Sequence, residues 1–355
     1  MDSPGDDFPL HIVFNAASGA GDGPAARACI ERILTESGRH HEFFAIDAPG
    51  RIGAVAREAA AAAQRSGGAV VVAGGDGTVN AVAQAVLPTG RPFGIVPQGT
   101  FNYSSRAHDI PLDTEAATRA LLHPQLKPVQ VGVVNERIFL VNASLGLYPI
   151  LLEDRERYKR QYGRRRMVAL WSGIATLSRA HRQLLLEVEH DGQREVVRTP
   201  SLFVGNNPLQ LERIGLPEAG DVQQHRLAAV IVRPIGTTRL LWLGVRGALG
   251  QLGEDANVRN FAFVSMTVTP LRAARAHGMK VAADGESFYV DPPVRFSVAP
   301  QPLLLMVPAA TQASGPAPAF TSSSESASAS ASASASESAS ASASTSASAS
   351  VSVSR

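Results

Sequence analysis

The sequence predicts an α/β domain followed by a β domain, and three observations carry that expectation. Through about residue 125, short apolar runs alternate with helix-period segments at the spacing of β-α-β units, which builds a parallel sheet. From there to about residue 308 the pattern changes to closely spaced β-like runs and hairpin-turn dipeptides, as in an antiparallel sandwich. Beyond that the chain passes into Ser-Ala repeats, too poor in apolar bulk to offset the entropy of ordering. The expected organisation is a flexible N-terminus over 1–9, an α/β domain over 10–125, a β-rich domain over 126–308 and a disordered Ser/Ala tail over 309–355.

Leu10 to Phe14 reads as the first buried strand. The small-residue loop Asn15-Ala16-Ala17-Ser18-Gly19-Ala20-Gly21 and a helix from about Pro24 to Ser37 follow it, with proline suited to the first helical turn. A strand at Glu42 to Ile46 and an Ala-rich helix from Arg51 to Arg65 come next. Val70-Val71-Val72-Ala73 then enters Gly74-Gly75-Asp76-Gly77-Thr78-Val79-Asn80, which reads as strand, tight turn and helix. Glycine lacks the Cβ that would hold a phosphate away, so amide N–H groups at such a turn can point at a polyanion. Asp76 fits that picture only with a divalent cation between carboxylate and phosphate, or as a base; the plainer alternative is a solvated turn residue. The spacing matches neither the dinucleotide fingerprint nor a Walker A loop.

Phe93 to Val96 is a further strand that ends in Pro97-Gln98-Gly99-Thr100-Phe101-Asn102. Three strand ends therefore offer Asn15 and Ser18, then Asp76, Thr78 and Asn80, then Thr100 and Asn102. These are donors and acceptors suited to a nucleotide's phosphates and ribose, at the sheet edge where open α/β folds bind ligands. A helix from Asp113 to Leu122 closes the unit, and Pro124 and Pro128 mark a linker.

The second domain is read from runs at Val129 to Val134, Ile138 to Ala143, Leu184 to His190, Arg194 to Val204, Leu227 to Arg233, Val258 to Thr269 and Val294 to Val298. Asn135-Glu136 and Asp191-Gly192 supply hairpin turns. Two helical insertions are expected, about Tyr148 to Ala180 and Thr237 to Leu249. The first carries a basic stretch over 155–166, which is either a solvated helix face or a patch that sits on anionic lipid. Leu240-Leu241-Trp242-Leu243 in the second reads as core rather than a membrane wedge. Ala282-Ala283-Asp284-Gly285-Glu286 is either a type I′ hairpin whose acids face water, or a general base beside a metal ligand.

A net charge of only +2 gives no reason to expect a nucleic-acid partner. A single cysteine, Cys29, leaves no internal disulfide and suits a reducing compartment. The acidic start Met1 to Pro9 lacks the pattern of a signal peptide, and no apolar stretch reaches the roughly 20 residues of a membrane span. The expected place is the cytoplasm, with transient contact at the inner face of the membrane.

With these pieces placed, the chain resembles the diacylglycerol kinase catalytic-domain family, which includes soluble bacterial lipid kinases and sphingosine kinases. The resemblance spans about Leu10 to Pro308. It rests on Asn15-Ala16-Ala17-Ser18-Gly19, on Gly74 to Asn80, on Pro97-Gln98-Gly99-Thr100-Phe101-Asn102 with Arg106 and Pro111, and on Asp284-Gly285-Glu286. It implies an ATP- and Mg²⁺-dependent kinase of phospholipid metabolism that phosphorylates a lipid hydroxyl, of a diacylglycerol, a sphingoid base or phosphatidylglycerol. By motif position, Asn15, Ser18, Gly19, Gly74, Gly75, Asp76, Gly77, Thr78, Val79, Asn80, Thr100 and Asn102 would hold ATP. Glu286 would accept the proton with Asp284 beside it, and Asp76 would lie near the phosphates and their Mg²⁺. The implied partners are a lipid substrate and an anionic membrane surface touched through the 155–166 stretch, with a homodimer as a further expectation. Ala16 replaces a common proline, Phe101 a common glycine, and Gln224-His225 stand where the family carries a structural metal site, which puts that metal in doubt. The family's threonine after the second strand has no equivalent at Asp47-Ala48. The rival readings are a soluble-substrate kinase of the NAD-kinase type and a non-catalytic nucleotide-binding regulator of the same fold.

Overall fold

The computed structural model describes residues 8–18, 23–147, 149, 183–222, 224–248, 250–253, 255–271 and 278–309. Gly19, the 155–166 stretch with the rest of the first helical insertion beyond residue 149, and the Ser/Ala repeats lie outside the described residues.

The first sheet begins with β1 (Leu10–Phe14), β2 (His41–Ala45), β3 (Ala69–Gly74) and β4 (Phe93–Pro97), all parallel where they pair. Every residue of β1, β3 and β4 is buried, as expected for strands covered on both faces. Helices α1 (Gly23–Glu36), α2 (Ile52–Ser66) and α3 (Asp76–Val86) connect them. One face of α2 is nearly all alanine, with Ala56, Ala59, Ala60 and Ala63 buried, so its backbone lies close against the sheet. After α4 (Tyr103–Ala107), α5 (Thr114–Ala120) starts where Asp113 accepts a hydrogen bond from the Ala116 N–H, a side-chain cap. Each expected element of this half is present within one residue of its expected ends, save at the C-terminus of the last helix, where Leu121 and Leu122 lie beyond α5.

The segment read as a linker is a strand, β5 (Pro124–Val129). Its prolines are tolerated because it is the edge strand of the first sheet. Between β5 and β4 lies β18 (Leu303–Pro308), antiparallel to the one and parallel to the other. The order is β2-β1-β3-β4-β18-β5, so the boundary drawn at residue 125 falls inside a strand and the last strand of the described chain completes the first domain. Sequence periodicity reports which residues face a core, and it carries no information on which sheet a distant strand joins.

The second domain is two antiparallel sheets. One contains β6 (Gly132–Val134), β7 (Arg137–Phe139), β9 (Leu184–His190), β10 (Gln193–Thr199), β14 (Ser265–Pro270) and β17 (Val294–Val298), in the order β10-β9-β14-β17-β6-β7. The other contains β8 (Asn142–Gly146), β11 (Ser201–Gly205), β12 (Leu227–Val232), β13 (Val258–Phe263), β15 (Met279–Ala283) and β16 (Glu286–Val290), in the order β13-β12-β11-β8-β15-β16. Their inner faces share one core that includes Leu145, Leu202 and Phe263 from the second sheet and Leu186, Val188 and Phe296 from the first, which makes the expected sandwich. Three long runs of the sequence are each two strands, broken at Leu140, Pro200 and Val264. The helix Thr237–Ala248 is where the second insertion was expected. There Leu243 is buried while Trp242 is 58% exposed, so the tryptophan is not core.

The two domains also share apolar packing. Val131 and Ile138 of the second domain join the cluster that covers α2, α3 and the first sheet.

Candidate active site

The site begins at the turn from β3 into α3. A Cβ on Gly74 would stand 2.8 Å from the Thr78 Cβ, so only glycine lets the helix turn back this tightly. Thr78 is itself buried, and its Oγ1 accepts a hydrogen bond from Asn15 Nδ2 (2.8 Å). The Gly75 N–H donates to Ser18 Oγ (3.3 Å). The β1 loop and the glycine turn are thereby held side by side.

The loop after β4 joins from the other side. A Cβ on Gly99 would lie 2.9 Å from Gly75 Cα, which shows how closely the two backbones approach. Asn102, in the left-handed region at φ 49°, accepts from the Gly99 N–H (3.0 Å) and donates to the Gly99 carbonyl (2.8 Å). Asp76 ties this loop to the turn: its two carboxylate oxygens accept from the N–H groups of Asn102 and Tyr103, both at 2.9 Å. Burial pushes the Asp76 carboxyl up, and those backbone donors pull it back. Thr100 is exposed beside this brace, and the rings of Phe101 and Tyr103 stack with centroids 5.6 Å apart.

The third part comes from the second domain. The hairpin β15–β16 turns at Asp284 and Gly285, both at positive φ (46° and 87°), as a type I′ turn demands. Asp284 does not face water. Its Oδ2 accepts from Asn80 Nδ2 (2.7 Å) and the Leu140 N–H (2.6 Å), and its Oδ1 from the N–H groups of Val141 (2.9 Å) and Asn142 (3.0 Å). Burial pushes this carboxyl up as well, against the pull of all four donors. Glu286 is the opposite case: exposed, and among the described residues without a hydrogen-bond donor. A Cβ on Gly77 would stand 3.0 Å from Glu286 Oε1, so the carboxylate of the second domain lies directly over the first turn of α3. Its surroundings push its pKa up, through loss of water and the Asp284 charge, while Arg137 pulls it down.

Not every expected ligand-side residue faces this space. Val79 packs in the core, and the Asn80 side chain reaches the second domain, donating to the Ile138 carbonyl (3.2 Å) as well as to Asp284. Three contributors escaped sequence reasoning. Gln84 accepts from the Ile138 N–H (2.8 Å) and donates to the Glu136 carbonyl (3.3 Å); its place four residues after Asn80, on the same helix face, was the signal. Arg137 faces Glu286 and stacks over Phe288 at 4.2 Å, and the backbone amides 140–142 close on Asp284; neither carried a sequence signature.

For Mg²⁺ the test is the donor set. Among the described residues no three His, Cys, Asp or Glu side chains converge to hold a metal. Mg²⁺ usually takes one or two carboxylates together with substrate phosphates. Asp76 meets that requirement at the turn, because each of its oxygens keeps a lone pair beyond the one its backbone donor uses. Gln224 and His225 are both exposed.

Comparison with known proteins bears on the family and the fold. A family model described as the diacylglycerol kinase catalytic domain matches residues 9–134. The chain is 31% identical over 243 residues to a protein named "Probable lipid kinase YegS-like" from Pseudomonas aeruginosa, covering 67% of this chain and 76% of that one. It is 32% identical over 136 residues to an uncharacterized protein of Synechocystis sp., covering 38% of this chain but only 30% of that longer protein. Among solved structures, a diacylglycerol kinase from Bacillus anthracis superposes with a TM-score of 0.60 at 19% identity, covering 85% of this chain and 97% of the other. No helix among the described residues is long and apolar enough to cross a membrane.

Proposed function

Because the chain belongs to the diacylglycerol kinase catalytic-domain family of lipid kinases, we propose that it transfers the γ-phosphoryl group of ATP to the hydroxyl of a lipid, with Glu286 as the proton acceptor. The observation that carries this reading is the Glu286 carboxylate, brought over the start of α3 from the other domain. A lipid hydroxyl has a pKa far above 7 and needs a base as its oxygen attacks phosphorus. The proton passes to Glu286, the new P–O bond forms, and the bond to the β-phosphate oxygen breaks so that ADP leaves. Asn15, Ser18, the amides of Gly74 to Thr78, and Thr100 and Asn102 would hold the nucleotide, and the positive end of α3 would offset the charge on its phosphates. Bound Mg²⁺, held by Asp76 and the phosphates, would neutralise charge spread over the phosphoryl oxygens. A raised Glu286 pKa favours proton uptake from the alcohol. The substrate would be a diacylglycerol, a sphingoid base or phosphatidylglycerol.

The test is phosphate transfer from labelled ATP to a panel of these lipids in mixed micelles with Mg²⁺. Glu286→Gln should lower turnover on the order of 10²-fold or more. Full turnover in that variant removes Glu286 from the reaction, and transfer to NAD in place of every lipid would favour the soluble-substrate reading.

A further inference from the structure

Three residues of α3 face the second domain in one stripe. Gly77 lies under Glu286, Asn80 bonds Asp284 and Ile138, and Gln84 bonds Ile138 and Glu136. Their spacing of three and four places them one above another on the helix surface. Opposite them, Asp284 and Glu286 sit two residues apart in a single tight turn.

A carboxylate has about four lone-pair sites, and at Asp284 four donors fill them: one amide side chain and three backbone N–H groups. The Asp284 N–H in turn donates to the Asn142 carbonyl (2.9 Å). Nothing on this side chain is left to accept a substrate proton. Yet among the described residues it is the one member of the hairpin turn bonded to both α3 and the 140–142 backbone, and it fixes the turn on which Glu286 is mounted.

We propose that Asn80 and Asp284 form a latch between the two domains that positions Glu286 over the first turn of α3. Asp284 is thus a positioning residue and not a second base. This rests on the reading of Glu286 as proton acceptor. The latch ties the base to the same helix whose N-terminus faces the nucleotide, so the acceptor hydroxyl and the phosphoryl group are aligned by one rigid element. Loosening it should slow the chemical step without weakening nucleotide binding.

The test is epistasis. Asn80→Ala should lower kcat about tenfold and leave KM for ATP within about twofold, the pattern of an interaction used only in the transition state. In a Glu286→Gln background the same change should do nothing further, because the latch acts through the side chain already removed. A loss of equal size in both backgrounds, or a rise in KM for ATP instead, overturns the proposal. The exchange Asn80→Asp with Asp284→Asn restores an amide–carboxylate contact and should recover turnover at least about threefold over Asp284→Asn alone; no recovery counts against the latch. Hydrogen exchange supplies an arm independent of catalysis: Asn80→Ala should speed exchange across 284–288, and unchanged exchange overturns the latch whatever the assay gives. Wild-type turnover in Glu286→Gln would instead remove Glu286 from the reaction, and exchange alone would then decide the latch.

Discussion

The glycine turn of the first domain and the Asp284–Glu286 hairpin of the second each bring carboxylates to α3, and they hold them differently. At the turn, Asp76 spends one lone pair of each oxygen on a backbone amide and holds a neighbouring loop in place. At the hairpin the two tasks are divided: Asp284 is saturated with donors, and Glu286 is left open with a raised pKa. Asp76 and Asp284 are thus each held by donors, and Glu286 has none among the described residues. The two regions also differ in span, since the turn is contiguous in sequence whereas the hairpin acts across about 200 residues on α3.

The sharpest way to break this comparison is to treat Asp76 as purely reactive. If it braces the loop, Asp76→Ala leaves the Asn102 and Tyr103 N–H groups without their partner and should lower unfolding stability by about 2–3 kcal/mol, measured by urea denaturation. A change below about 0.5 kcal/mol would mean that the loop holds itself. Gly77→Ala probes the junction of the two regions. A Cβ 3.0 Å from Glu286 Oε1 must push the carboxylate aside, so turnover should fall about tenfold with little effect on stability; wild-type turnover would show that Glu286 works elsewhere. The last probe lies outside both. His108, pushed down to about 4 by burial with Lys127 adding and Asp109 opposing, is neutral in the folded protein where an unfolded histidine takes a proton. Its stability contribution is present above the unfolded value near 6.5 and is lost as pH falls toward 4, at no more than about 1.4 kcal/mol per pH unit. His108→Gln should flatten that slope in urea titrations, and an unchanged slope would assign it to other groups.

What the sequence made legible follows the same division. The β-α-β half could be read almost residue by residue, because β1, β3 and β4 are buried on both faces and their apolar runs end in glycine loops. The hairpin position of Asp284-Gly285 was legible from turn chemistry, but the direction of its acids was not. Asp284 points inward because of amides at 140–142 and an asparagine on α3, contacts with no local signature. Trp242 misled for a related reason: an apolar quartet on a helix cannot all face one side, and the face that Leu243 occupies leaves the indole outside. The placement of 124–129 and 303–308 in the first sheet was beyond reach, since pairing partners are set by tertiary packing.

That placement has a consequence for how the protein is made. The strand wedged between β4 and β5 is the last one described, so a growing chain carries its first domain through synthesis of the whole second domain with the inner edge of β4 unpaired. An apolar strand with an open edge is a template for pairing with other chains. The N-terminal half therefore keeps an open strand edge until residues 303–308 emerge, and a fragment that stops short of them should aggregate however well its glycine turn is formed.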